Sequence, residues 1–349
     1  MSLPRDQFGT LPDGRSVERY LLQAGAVEVA VLTYGAVLQS VRVPDANGTP
    51  GEVTLGYDDL DGYLADVAFL GAVVGRFANR IAKGRFVLDG IEHVLPANNG
   101  AACLHGGPEG FHAQLWSARE VIGGVELSRT SPDGEMGFPG SLDVTVTYLL
   151  DERGLELRYA ATTDRPTVVN LSNHAYWNLA GHGAVEDHVL ELPASRFVAV
   201  DAELIPTGLA PVEGTPFDFR TAQRVGDRIR AAHPQLRHAR GYDHAWVLDG
   251  ADVQDGLHLA ARVHEPRSGR VLEVRTDQPS VQFYSGNFLD GAVAGRAGRA
   301  MRQGDALCLE TQHLPDSPNQ PGFPSTVLRP GERYETRTLF SFGAIEAAA

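Results

Sequence analysis

Strict two-residue alternation is the feature that most limits what this chain can fold into. Apolar side chains recur at Leu142, Val144, Val146 and Tyr148, an Asp-Glu-Arg-Gly turn follows, and Leu155, Leu157 and Tyr159 alternate back. A period of two puts all of these side chains on one face of a pleated strand, so the segment predicts a hairpin with one face in a core. Residues 85–95 repeat the signal in shorter form, with Phe86, Val87 and Leu88, then Asp89-Gly90, then Ile91 through Leu95. The Asp-Gly pair supplies the positive φ angles of a type I′ turn.

The same pattern continues along the chain. Val27, Val29 and Val31 alternate, as do Val41 and Val43, and the Asn47-Gly48 turn lies between Asp45 and Pro50. Short strand-like runs at 198–207, 245–248, 257–263, 271–275 and 281–284 are separated by Gly, Pro, Asn or Asp. Helical patterning is confined to 222–232, with a short helix at most in the acidic stretch 58–66. The 39 glycines and 21 prolines are spread rather than pooled, so no linker is marked. We therefore expect residues 1–349 to form a single all-β domain, a large antiparallel sandwich of two packed sheets with few short helices.

Charge narrows the partners. A formal net charge of −14 disfavours nucleic acid and anionic membrane and suits a neutral solute such as a sugar. Cys103 and Cys308 are far apart and outside any Cys-x-x-Cys arrangement, so neither a disulfide framework nor a zinc site is signalled. The amino terminus, Met-Ser-Leu-Pro-Arg-Asp-Gln-Phe-Gly, lacks an apolar leader, and no run approaches the roughly 20 apolar residues of a membrane span. The expectation is a cytoplasmic protein.

The stretch Asn-Leu-Ser-Asn-His-Ala-Tyr-Trp-Asn-Leu-Ala-Gly at 170–181 places one titratable group, His174, among polar and aromatic neighbours. As a strand it sends Ser172, His174 and Tyr176 one way and Leu171, Asn173 and Ala175 the other. Imidazole beside phenol suits proton transfer on a hydroxylated ligand, although a hydrogen-bonded core histidine explains the residue equally simply. Its candidate partner is Glu310, mid-strand in Leu-Cys-Leu-Glu-Thr-Gln at 307–312, on a face with Cys308 and Gln312. Burying a carboxylate demands donors or a polar concavity, and an ion pair with Arg80 would also serve. Asn79, Arg80, His105, Asp243 and Gln282 have similar character: an amide, an arginine fork, a histidine before two glycines, a loop acid and a strand glutamine. Each also has a structural reading, as strand-end pair, turn residue or cap. Phosphate-loop, dinucleotide, Gly-x-Ser-x-Gly and His-Glu-x-x-His motifs are absent, and no histidine pair has metal-ligand spacing.

These residues resemble the aldose 1-epimerase, or galactose mutarotase, family. The matching segments are Gly-Arg-Phe-Ala-Asn-Arg-Ile-Ala-Lys-Gly at 75–84, Leu-His-Gly-Gly at 104–107, the 170–181 stretch and Gly-Tyr-Asp-His at 241–244. Val-Gln-Phe-Tyr-Ser-Gly-Asn-Phe-Leu-Asp-Gly at 281–291 and Leu-Glu-Thr-Gln-His-Leu-Pro-Asp-Ser-Pro-Asn-Gln-Pro at 309–321 complete the set. The resemblance implies the family's large β-sandwich, the galactose mutarotase-like supersandwich. It implies His174 as general acid, Glu310 as general base, and Asn79, Arg80, His105, Tyr176, Asp243 and Gln282 as sugar contacts, with no cofactor and no metal. It also implies a free monosaccharide as partner, with monomer and homodimer both open. Two departures stand out: Ala101-Ala102-Cys103 where a more polar residue is expected before Leu104, and His112 where an acid is expected after Phe111. A glycoside hydrolase, with Asp243 as second carboxylate, and a non-catalytic sugar-binding module are the competing expectations.

Overall fold

The computed structural model describes residues 3–250 and 252–345. Met1 and Ser2, the start of the amino-terminal stretch expected to lack a leader, lie outside the described residues.

Three antiparallel sheets carry most of the chain. The strands Arg5–Thr10, Ser16–Ala24, Val27–Leu32, Leu38–Pro44 and Pro50–Glu52 form a five-stranded sheet in chain order. A ten-stranded sheet runs Ser117–Val121, Gly124–Ser131, Leu142–Asp151, Gly154–Thr163, Tyr334–Ala344, Arg270–Thr276, Leu257–His264, Val189–Glu191, Gln223–Arg224, with Val253–Gln254 paired off its path. The third sheet has six strands, ordered Tyr176–Trp177, Leu307–Gln312, Ser280–Tyr284, Asp243–Val247, Arg196–Val200, Pro206–Pro211.

Alternation explains how the ten- and six-stranded sheets meet. Val144, Val146, Tyr148, Leu155, Leu157 and Tyr159 point from the larger sheet into one core, where they join Trp177, Trp246, Val281, Phe283, Leu307 and Leu309 from the smaller. Burying each such side chain contributes about 1.5–3 kcal/mol. The expected hairpin closes with Leu142 opposite Thr163 and Asp151 opposite Gly154. In the shorter hairpin Asp89 (φ 50°) and Gly90 (φ 82°) take the two positive-φ positions, as a type I′ turn requires.

Three expectations need correction. Residues 222–232 are not helical: they give the two-residue strand Gln223–Arg224 and a 3₁₀ turn, Val225–Asp227, because pairing with Val189–Glu191 satisfies the backbone there. The helix lies just beyond, at Pro234–Ala239, where the His233 side chain accepts the Gln235 N–H and proline opens the first turn. The run 198–207 is cut in two, since the Asp201 carboxylate accepts the N–H groups of Glu203 and Ile205 and folds a turn. Residues 170–181 are not one strand either; Ser172–Asn173 pairs with Val73–Val74, and Tyr176–Trp177 joins the six-stranded sheet. The acidic stretch does hold a short helix, Leu60–Leu64, capped by Asp59. Among the described residues no helix is long and apolar enough to cross a membrane.

Candidate active site

The six-stranded sheet supplies the carboxylates. Leu307–Gln312 and Ser280–Tyr284 are buried on both faces: Leu307 and Leu309 pack into the core, while Cys308, Glu310 and Gln312 point the other way. Register sets Gln282 directly opposite Glu310, and Tyr284 opposite both Cys308 and Asp243. Gln282 Nε2 donates to Asp243 Oδ1 (2.6 Å), and Arg80 Nη1 lies 3.6 Å from Asp243 Oδ2. The arginine expected to neutralise Glu310 is thus spent on Asp243, and Arg80 Nε donates to Asn99.

Loops complete the other wall. His174 follows the short Ser172–Asn173 bridge, and its ring stacks on Tyr176 with centroids 5.0 Å apart. The Tyr176 hydroxyl donates to the Ala68 carbonyl (2.9 Å), so the phenol orients the imidazole and its proton is already committed. His105 (φ 53°) and Asn79 (φ 66°) both occupy the left-handed region and lock each other. His105 N–H donates to the Asn79 carbonyl (3.1 Å), and Asn79 N–H donates to His105 Nδ1 (3.1 Å). The neutral His105 ring therefore carries its hydrogen on Nε2 and offers a donor. Gly106 makes this turn possible, since a Cβ there would stand 1.9 Å from the Gly75 carbonyl oxygen. Farther along, Asp316 accepts the Ala82 N–H (2.9 Å) and donates its own N–H to the Arg80 carbonyl (2.8 Å), which ties the 316–320 segment to the Arg80 loop.

A cleft of about 670 Å³ opens onto this group, lined by Asn79, Arg80, His105, His174, Tyr176, Asp243 and Glu310 among others. Gln282 does not line the cleft itself but donates to Asp243, which does. His174 Nε2 stands 3.8 Å from Glu310 Oε1, and a nitrogen of His105, a nitrogen of His174 and an oxygen of Glu310 fall within 4.8 Å of one another. That triangle is small enough for a cation, but the His105 lone pair is already engaged by Asn79, so the set favours a hydroxylated ligand. Burial raises the Glu310 pKa well above the ordinary carboxylate range, helped by the Asp243 charge and opposed by Arg80. Burial also lowers His174, to about 4, and drives His105 well below its usual value, with His174 and Arg80 adding to it.

Some of the site had no strong signal in the sequence. Phe69 (φ 60°) lines the cleft and contacts the rings of His105, His112 and His174, with centroids 4.7, 4.7 and 6.0 Å away. Asp66 holds its loop by accepting the Ala68 and Leu70 N–H groups. Cys308 Sγ lies 3.6 Å from His174 Nδ1, which its position two residues before Glu310 could have suggested. The two arginines of the 75–84 segment divide the labour: Arg80 reaches the cleft, whereas buried Arg76 donates to the carbonyls of Ser131, Pro139 and Gly140.

The fold is a large antiparallel β-sandwich whose cleft brings an imidazole and a carboxylate together, and its relatives are enzymes of carbohydrate chemistry. A family model described as aldose 1-epimerase matches residues 18–341, and the chain belongs to that family. A galactose mutarotase from Bos taurus is 47% identical over 346 residues, covering 98% of this chain and 99% of its own. An Escherichia coli aldose 1-epimerase is 40% identical over 342 residues, 95% and 96% of the two chains. Among solved structures, a galactose 1-epimerase from Lactobacillus acidophilus superposes with a TM-score of 0.85 at 28% identity, covering 99% of this chain and all of that one.

Proposed function

We propose that this chain interconverts the α and β anomers of free aldoses such as galactose and glucose, by opening and reclosing the ring. The observation that carries the reading is the His174–Glu310 pair, 3.8 Å apart and lining one sugar-sized cleft. Glu310 takes the proton from the anomeric hydroxyl while His174 gives one to the ring oxygen, and the pyranose opens to the aldehyde. Rotation about C1–C2 exposes the other carbonyl face. The same two groups then return their protons and close the opposite anomer.

Burial assists the opening step. The step starts from the ionised form of the pair, carboxylate and imidazolium; after it both are neutral, and one proton is shared throughout. A water-poor site disfavours the ionised form, as the opposite shifts of Glu310 and His174 indicate, so it offsets part of the cost of holding the open aldehyde. His105 Nε2–H is placed to support charge on oxygen as the ring opens, and Arg80 with Asp243 to hold hydroxyls distant from C1. Asn79, Tyr176 and Gln282 shape this wall, the last by fixing Asp243. No cofactor or metal enters the scheme. We take the whole chain as one functional unit, cytoplasmic, acting as monomer or homodimer.

Polarimetry on freshly dissolved α-galactose tests the reading, with methyl α-galactoside as control. The expected result is fast relaxation of the free sugar and no change in the glycoside, whose anomeric oxygen carries a methyl group and no proton to give. Release of galactose from the glycoside would instead point to a hydrolase. Sugar binding with relaxation no faster than buffer would point to a binding module.

A further inference from the structure

Behind the cleft, on the same face of the six-stranded sheet, three side chains hold atoms that no protein group satisfies. Glu310 Oε2, Gln282 Oε1 and both amide atoms of Gln312 are buried and lack a hydrogen-bond partner among the described residues. Topology makes them neighbours. Gln282 sits directly opposite Glu310, and Gln312 follows Glu310 by two positions, so alternation returns it to the same face. Ser280, opposite Gln312, offers its amide no hydroxyl proton, since that hydroxyl donates to the Gln312 backbone carbonyl (2.6 Å). Gln312 is 0% exposed, and neither glutamine lines the cleft, so neither bulk solvent nor a sugar supplies partners to the two amides. Unmet donors and acceptors on neighbouring buried side chains are what an internal water satisfies, typically with about three hydrogen bonds.

We propose that Glu310 and Gln312 seat one buried water, and that Gln312 is a positioning residue acting on Glu310 through it. The inference rests on Glu310 being the base. Glu310 Oε1 faces His174 Nε2, so the water holds the oxygen that the histidine does not reach. An amide presents both N–H and C=O, and the water it anchors can donate to the carboxylate and accept from the carboxylic acid. It thus serves both states that Glu310 passes through in one turnover. The other groups facing Glu310 are His174 and His105 from the loops, Tyr176 on the adjacent strand, Cys308 on its own strand, and Asp243 with Arg80 from the strands and loop beyond. Removing the water takes a donor from the carboxylate and acts in the same direction as burial and Asp243, toward the protonated form.

A crystal structure of the parent protein should show one ordered water within about 3.2 Å of both Glu310 Oε2 and the Gln312 amide. Gln312→Leu and Gln312→Met should lose it and lower kcat for α-galactose about tenfold, the size of one hydrogen bond to a charged group, with KM held within about twofold. The alkaline limb of kcat/KM should move to higher pH. A purely structural role would lower the melting temperature of both variants yet leave kcat and the pH profile at parental values. That result, or parent density without the water, overturns the inference. Glu310→Gln run alongside separates the layers: if it is inactive while the Gln312 variants keep parental kcat, the water role falls and the base stands. If Glu310→Gln turns over at the parental rate, both fall.

Discussion

The two facing sheets of the sandwich solve different problems. In the ten-stranded sheet, Leu142–Asp151 alternates buried and accessible positions along its length, and the buried side is uniformly apolar or aromatic. In the six-stranded sheet, Leu307–Gln312 is buried on both faces, and the side away from the core carries a thiol, a carboxylate and an amide. The first arrangement gains stability from area removed from water. The second gives some of that up, because a carboxylate oxygen and glutamine amide atoms are buried without partners among the described residues. Stability and chemistry are thus assigned to opposite layers, and substitutions should separate them.

The largest effect is expected on the site side. Glu310→Gln and His174→Asn should each lower the mutarotation rate about 10²- to 10⁴-fold, as loss of one acid–base partner typically does, while far-ultraviolet circular dichroism stays parental. On the other sheet Leu157→Ala should do the reverse. Leu157 is 0% exposed in the shared core, so denaturant titration should show a loss of about 2–5 kcal/mol with kcat unchanged. A Leu157 variant that keeps its stability, or loses turnover while folded, would break the division.

A smaller effect sharpens it through pH. The folded pKa of Glu310 is raised, so its contribution to stability is present below the unfolded value and is lost as pH rises through the folded one. Glu310→Gln should therefore melt above the parent at pH 8, and the two should converge near pH 4. His174, lowered to about 4, works in the other sense: it favours the fold above its unfolded pKa, and that contribution fades as pH falls toward 4. The same groups set the activity profile. The acid limb of kcat/KM should lie near pH 4, where the pair takes up a second proton, and the alkaline limb well above the carboxylate range.

What could be seen in the sequence follows the same boundary. Leu142 to Tyr159 declares its sheet because one face is wet and polar residues interrupt the apolar ones. The site strand was legible for a different reason: a lone Glu310 inside an apolar run is chemically conspicuous. The break at His174 was hidden, because Ser172–Asn173 and Tyr176–Trp177 share a period of two although they pair with different strands. So was Phe69, whose left-handed backbone is imposed by the Asp66 carboxylate and by no local sequence preference. The Pro234–Ala239 helix went unread because six residues are too few to show a period, and only its cap and proline mark it.

The most direct test of the central claim is a double-mutant cycle on mutarotation of α-galactose, comparing Glu310→Gln, His174→Asn and the two combined. If the pair shares one proton and works as a unit, the double variant should relax the sugar within about threefold of the slower single variant. Losses that multiply, so that the double variant falls by the product of the two single effects, would show two residues acting independently and would contradict the account.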